Sequence, residues 1–151
     1  MKHNTKPERL EKSDLRAVFI FLETVFSDEQ QIPKELIPLT NAQQHWWCIR
    51  EETTIVGTVA AWKEGNEWHW GRLAVDPNQR GKGLGKKLAI ESFKDLFEMK
   101  IDEVVIDARD ITVELLKSLG GKVTGPRSEF SGLPITQMKL RKTDFLHALF
   151  G

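Results

Sequence analysis

Val75-Asp76-Pro77-Asn78-Gln79-Arg80-Gly81-Lys82-Gly83-Leu84-Gly85-Lys86-Lys87-Leu88 joins the two halves of the chain and gives the order of elements around it. It leaves an apolar run, Leu73-Ala74-Val75, and turns at Asp76-Pro77. It then passes three glycines spaced by one residue and enters a helical pattern. The order is strand, glycine loop, helix. Glycines let a backbone approach a ligand with no Cβ in the way, and the first amides of a helix have no intrahelical acceptor. Together with the positive end of the helix dipole, those amides form a phosphate site. Arg80, Lys82, Lys86 and Lys87 add cations, and no carboxylate falls between Asp76 and Glu91. The ligand expected here is an anion with more than one phosphate.

Upstream, three strands feed this loop. His45–Arg50 and Thr54–Trp62 alternate or run apolar, with Gly57 marking a bulge or a close approach, and Glu64-Gly65-Asn66 turns into the third strand, Glu67–Val75. Ser13-Asp14 caps a helix from Leu15 to Phe26, a short first strand is expected near Lys2–Lys6, and Ile32–Pro38 reads as a turn or one-turn helix between prolines. Downstream, Leu84, Leu88, Ala89, Phe93, Leu96 and Phe97 recur at helical spacing as far as Met99-Lys100. Glu103–Ile106 is short and almost wholly apolar, so it is expected to be buried on both faces and parallel to the Leu73–Val75 strand. A helix over Thr112–Leu119 with Gly120 at its C-cap follows. Lys122–Gly125 and Ile135–Leu140 read as the last strands, separated by a Pro126–Pro134 loop. Thr143 then caps an amphipathic tail with Phe145, Leu146, Leu149 and Phe150 on one side, which either closes its own core or serves a dimer contact.

The chain has 151 residues, enough for one domain that buries roughly 70% of its unfolded surface. Its 22 basic residues balance 22 acidic ones, so neither nucleic acid nor an anionic membrane is indicated, and the basic bias is confined to the loop. One cysteine, Cys48, excludes an internal disulfide and a cysteine metal cluster, and no metal-ligand spacing occurs among the histidines. With no long apolar run, the expectation is a soluble cytoplasmic protein.

Spacing separates three kinds of phosphate loop. A nucleotide-hydrolase P-loop fails, because Lys86 stands where its second glycine belongs; a dinucleotide fingerprint is weak, because Gly85 arrives one residue early. Arg80-Gly81-Lys82-Gly83-Leu84-Gly85 does fit [QR]-x-x-G-x-[GA] after a strand ending Leu-Ala-Val. At these residues the chain resembles the GNAT superfamily of acyl-CoA-dependent N-acyltransferases, and the likeness in element order spans roughly residues 13 to 141, leaving 142–151 as a tail. Val25-Phe26-Ser27-Asp28-Glu29-Gln30-Gln31-Ile32-Pro33 looks like the V-F-x-x-E-Q-x-[VI]-P segment of the small bacterial ElaA-like branch. Gly132-Leu133-Pro134 with Met138 resembles that branch's G-I-P-H-x-x-M strand start, with Ile135 in place of His.

The resemblance implies an α/β (mixed α+β) fold in which a mostly antiparallel sheet, splayed between its fourth and fifth strands, is flanked by helices. It implies acetyl transfer from acetyl-CoA to a primary amine of a small molecule or protein in a ternary complex. Arg80, Gly81, Lys82, Gly83, Leu84, Gly85 and Lys86 would then hold the coenzyme pyrophosphate. A backbone amide at a bulged strand end around Leu73, Ala74 and Val75 would face the oxyanion, and Ala108 and Arg109 would face the splayed gap. Arg109 pairing with Asp107 or Asp110 on the surface is an equal alternative. The family's A-x-x-F-Y tyrosine, a proton donor to the departing thiolate, is missing: counting from Ala108, Leu116 stands there, and the chain has no Tyr. A non-catalytic acyl-CoA-binding regulatory module therefore stands as the alternative.

An alkylamine of pKa about 10 must lose a proton to attack. Glu67, His69 and Gly71 share one strand face by period two, opposite Trp68, Trp70 and Arg72. Glu67 and His69 are thus the candidate proton acceptors, although ordinary residues of a hairpin start would have the same pattern. Trp46, Trp47, Trp62, Trp68 and Trp70 read as core and cross-strand pairs before they read as an aromatic pocket, and Cys48 as a small buried hydrophobe.

Overall fold

A computed structural model describes residues 6–10, 15–22, 24–25, 43–130 and 132–151. The elements are β1 (Glu8–Arg9), α1 (Leu15–Leu22), β2 (Gln44–Glu51), β3 (Thr54–Glu64), β4 (Glu67–Val75), a 3-10 turn (Pro77–Gln79), α2 (Leu84–Glu98), β5 (Glu103–Arg109), α3 (Asp110–Ser118), β6 (Lys122–Phe130), β7 (Leu133–Arg141) and α4 (Lys142–Phe150). Seven strands pair in the order β1-β2-β3-β4-β5-β7-β6. β5 runs parallel to β4, in register at His69↔Val105, whereas β5–β7, β6–β7 and β1–β2 are antiparallel. This is the mixed, mostly antiparallel sheet flanked by helices that the motif order implied.

The chain divides into two compact units, each discontinuous in sequence. One joins Met1–Ala60 to Arg72–Ser92. Its strands are buried because their sequence is: β3 is inside from Ile55 to Ala60, and Leu84, Leu88 and Ala89 present the apolar stripe of α2. Gly57 lets β3 and α2 meet, since a Cβ there would lie 3.0 Å from Leu88 Cδ1 and 3.5 Å from the Ala74 carbonyl oxygen. The close approach anticipated at Gly57 is what the backbone does. An added methyl would cost about 1–3 kcal/mol.

The second unit joins Ala61–Gly71 to Phe93–Gly151. Aromatic rings make its centre: Trp70 stacks on Phe93 with centroids 4.6 Å apart, and Phe145 of α4 meets Phe93 at 5.7 Å and Phe97 at 5.4 Å. Such pairs add about 0.5–1.5 kcal/mol each beyond area burial. β5 is sandwiched in hydrogen bonding between β4 and β7, which explains why Val104, Val105 and Ile106 are all buried.

Several sequence expectations are corrected here. The first strand among the described residues is Glu8–Arg9, paired with Cys48 and Trp47, and the expected Lys2–Lys6 strand lies outside the described residues except for Lys6. The Ser13-Asp14 cap, the Phe26–Pro33 part of the second motif and the Ile32–Pro38 turn also lie outside them. The Pro126–Pro134 loop is instead the tip of a hairpin, because β6 continues to Phe130 and β7 starts at Leu133. β6 tolerates Gly125 and Pro126 because it is the edge strand, and the register shifts between Val123 and Arg127. α3 begins at Asp110, two residues early, and its C-cap is Leu119, with Gly120 one place beyond in the left-handed region. α4 starts at Lys142 after Arg141, with no side-chain cap from Thr143; Phe145 is buried while Leu146 and Phe150 are exposed. Trp46, Trp47, Trp70 and Cys48 are core as expected, and Trp62 and Trp68 are half-buried. No helix among the described residues is long and apolar enough to cross a membrane.

Candidate active site

The glycine loop grows from the end of β4. The Asp76 carboxylate accepts from the Asn78 amide at 2.9 Å and its carbonyl accepts from the Gln79 amide at 2.8 Å, which sets the 3-10 turn begun by Pro77. Arg80 then folds back, its Nε donating to the Val75 carbonyl at 3.3 Å, and Lys82 donates to Gln79 Oε1 at 2.7 Å. Gly81 and Gly83 take φ of +83° and +75°, and a Cβ at either would find nothing within 4 Å. The glycines are therefore demanded by backbone conformation and leave open space beside the main chain. The first i→i−4 bond of α2 runs from the Lys87 amide to the Gly83 carbonyl, so the amides just before Lys87 precede the helical ladder. The first turn of α2 holds no acid but carries Lys86 and Lys87. Cations at the positive end of a helix are unfavourable by about 0.3–1 kcal/mol, an arrangement that suits an anion supplied from outside.

β4 is not a regular strand. Arg72, in its middle, adopts φ of +59°. The two-residue turn Gly65-Asn66 sets Trp62 across from His69, yet the Asp76 amide bonds the Val56 carbonyl at 2.8 Å. From His69 to Asp76 is seven residues and from Trp62 to Val56 six, so β4 carries one extra residue, which is a bulge. The side chains agree. Trp70 leans on Phe93 of α2, and three residues later Leu73 lies 3.9 Å from where a Gly85 Cβ would be. Alternation thus holds from Glu67 to Gly71 and breaks at Arg72, so that Leu73 and Val75 rather than Arg72 continue the face of Trp70.

The hairpin before the bulge gathers side chains. The imidazole of His69 is stacked on the Trp62 indole, centroids 5.9 Å apart and planes 12° from parallel. Trp62 Nε1 donates to Glu64 Oε1 at 3.0 Å, and the other oxygen of Glu64 lies 3.5 Å from His69 Nε2. Glu67 Oε1 is 3.9 Å from the same nitrogen. Gly71 makes the seat, since a Cβ there would come within 3.1 Å of Trp62 Cη2. Glu67 and His69 are therefore together as the period-two pattern expected. Trp62, read from the sequence as a core or cross-strand residue, joins them across the strands, and so does Glu64, which the sequence reading missed. The two-residue hairpin signal Gly65-Asn66 could have found them, because it places residues 62 and 64 opposite 69 and 67.

At the end of β5, Ala108 is buried and Arg109 is half-buried before α3. Burial draws the Arg109 guanidinium below its usual range, and the neighbouring Asp110 charge opposes that. Asp110 itself is taken by Arg127 in a two-bond pair at 3.2 and 2.7 Å, which holds its carboxyl below the usual range. Leu116, at the position of the family's tyrosine, is fully buried. No group of residues suited to a metal occurs among the described residues.

A family model, the Acetyltransferase (GNAT) domain, matches residues 11–142. The chain belongs to this family. Its fold is that of acyl-CoA-dependent acyltransferases. Among solved structures it is similar to Escherichia coli ElaA, with a TM-score of 0.78 and 19% identity over 89% of this chain and 97% of that one. It is equally similar to an acyl-CoA N-acyltransferase from Pseudomonas aeruginosa, with a TM-score of 0.78 and 15% identity over 89% and 97% of the two chains. A CoA-dependent acyl-homoserine lactone synthase, BjaI, solved with SAM and isopentyl-CoA, gives a TM-score of 0.75 and 12% identity over 95% and 87%. No curated protein matches the sequence.

The GNAT loop residues fit a coenzyme diphosphate on the chain's own geometry: open, left-handed glycines, a helix start without acid, and lysines beside it. Leu73, Ala74, Val75 and Arg80 to Lys86 form one local group, and Glu67 with His69 another.

Proposed function

We propose that this GNAT protein is an N-acetyltransferase that moves the acetyl group of acetyl-CoA to a primary amine of a small molecule or protein, by direct attack in a ternary complex in the cytoplasm. The observation that carries the reading is the Arg80–Lys86 loop. Two glycines there hold left-handed backbone with open space beside them, at a helix start that carries lysines and no acid.

Bound acetyl-CoA supplies an acyl carbon activated as a thioester. The chain does the rest. Amides of Gly83 to Lys86, with Lys82 and Lys86, bind the diphosphate, while Arg80 ties the loop to the Val75 carbonyl. A main-chain amide of Leu73 to Val75, just after the left-handed Arg72, serves as donor to the acyl oxygen, a contribution of about 3–4 kcal/mol for one such donor. His69 and Glu67 accept the proton that the amine gives up. No phenol supplies a proton to the sulfur, and a thiol of pKa about 8.5 leaves tolerably without one.

The fully buried Leu116 favours a second reading, a coenzyme-binding module without turnover. Incubation with acetyl-CoA, a panel of amines and a thiol reagent separates the two. Amine-dependent thiol release is expected, and tight coenzyme binding with no such release discards the enzyme. Lys82→Glu combined with Gly83→Val should abolish coenzyme binding, and retained affinity would remove the loop from the site.

A further inference from the structure

The hairpin cluster does more than bring Glu67 and His69 together. His69 is sandwiched from two directions: the Trp62 indole covers one ring face, and two carboxylates converge on one ring nitrogen, Nε2, at 3.5 Å from Glu64 and 3.9 Å from Glu67. Glu64 is itself fixed, because its other oxygen accepts from Trp62 Nε1 at 3.0 Å. Trp62 is fixed in turn by Gly71, beside which nothing larger fits without displacing the indole. The His69 side chain is only 17% exposed, whereas Glu64 and Glu67 are 65% and 62% exposed, so the ring is held while the carboxyl groups stay open to water.

A neutral imidazole has one nitrogen with a hydrogen and one with a lone pair, and the hydrogen goes where its partner can accept. Carboxylates accept only. A lone pair on Nε2 would face two negative groups, and a hydrogen there is attracted by both. We infer that Glu64 and Trp62 are positioning residues that hold His69 as its Nε2–H tautomer, leaving Nδ1 as the atom that takes the proton from the acceptor amine. The inference rests on the reading of His69 as a proton acceptor, and it recasts Glu67 from acceptor to partner of the ring. In the step itself, one N–H bond of the protonated amine breaks with its electron pair left on nitrogen, which gives the neutral nucleophile. A new N–H bond forms at Nδ1, and the imidazolium that results lies beside Glu64 and Glu67. Solvent then removes the proton. Nothing besides water is needed to balance it.

The test uses the full-length protein labelled with 15N-histidine. Long-range proton–nitrogen correlation spectra report which nitrogen of each neutral imidazole carries hydrogen, and His69 is assigned by the signal missing from His69→Gln. The expected result is Nε2–H in the parent. In Glu64→Gln, an exposed change that the fold should tolerate, the tautomer ratio should move about tenfold toward Nδ1–H. The kcat should fall about tenfold, with coenzyme affinity and the amine KM within about twofold. Trp62→Phe, which keeps a ring on the imidazole but removes the Nε1 donor to Glu64, should recover only part of the kcat that Trp62→Ala loses. Nδ1–H in the parent, or an unchanged ratio in Glu64→Gln, overturns the inference. Full turnover by His69→Gln alongside the expected tautomer would remove His69 from the reaction and overturn the Nδ1 assignment, while coenzyme binding through the loop would stand.

Discussion

The Arg80–Lys86 loop and the β3–β4 hairpin are built of opposite materials. In the loop the proposed working groups are main-chain amides, and the residue types matter for the backbone they allow: Gly81 and Gly83 for positive φ, Asp76 and Pro77 for the turn that leads in. In the hairpin, on the turn side of the bulge at Arg72, side chains hold one another: Trp62, Glu64, Glu67 and His69. A site of the first kind is carried by a short contiguous stretch. The second kind exists only because two strands lie in one register.

That difference predicts where substitutions should separate binding from turnover. The largest effect belongs to Gly83→Val. A β-branched residue at φ +75° is strained by about 1–3 kcal/mol and puts atoms into the open space beside the amides. Calorimetric titration should show coenzyme affinity reduced at least about 100-fold, and affinity within tenfold of the parent would break the main-chain account. Next comes His69→Gln, expected to lower kcat about 100-fold while coenzyme affinity measured in the same way does not move. A parallel loss of both would mean that the two regions are not separable. Gly71→Ala ranks third: its Cβ would push on Trp62 from 3.1 Å, so kcat should fall several-fold and thermal stability by about 1 kcal/mol, again with coenzyme affinity kept. Smallest is Gly85→Ala. A Cβ there would find only Leu73 Cδ2 at 3.9 Å and Val75 Cγ2 at 4.0 Å, ordinary contacts, within a helix where alanine is the better former. Binding should be unchanged and stability raised by up to about 1 kcal/mol; a large loss of affinity would show that the third glycine, too, is reserved for the ligand.

Much of the fold was legible because its signals are local. Three strands before the loop, the stripe on α2 and the apolar Val104-Val105-Ile106 run all carry their burial in their residue types. Where the reading went wrong, a local signal was overruled by position in the sheet. Gly125 and Pro126 announce a loop, yet β6 passes through them because an edge strand has one side without a partner to satisfy. Arg72 gives no sign of a left-handed backbone, since arginine has no preference for it. The bulge is imposed by what lies before and after, the hairpin turn at Gly65-Asn66 and the Asp76–Val56 bond.

The residues alone determined that a strand, a cationic glycine loop and a helix would follow one another, and that Glu67, His69 and Gly71 would share a face, because backbone freedom and side-chain alternation are properties of neighbours along the chain. The folded chain was needed to show that Glu64 and Glu67 converge on one nitrogen of His69, that alternation breaks at Arg72, and that Arg127 claims Asp110. Those features depend on side-chain rotamers, a bulge and strand order, which local residue patterns do not encode.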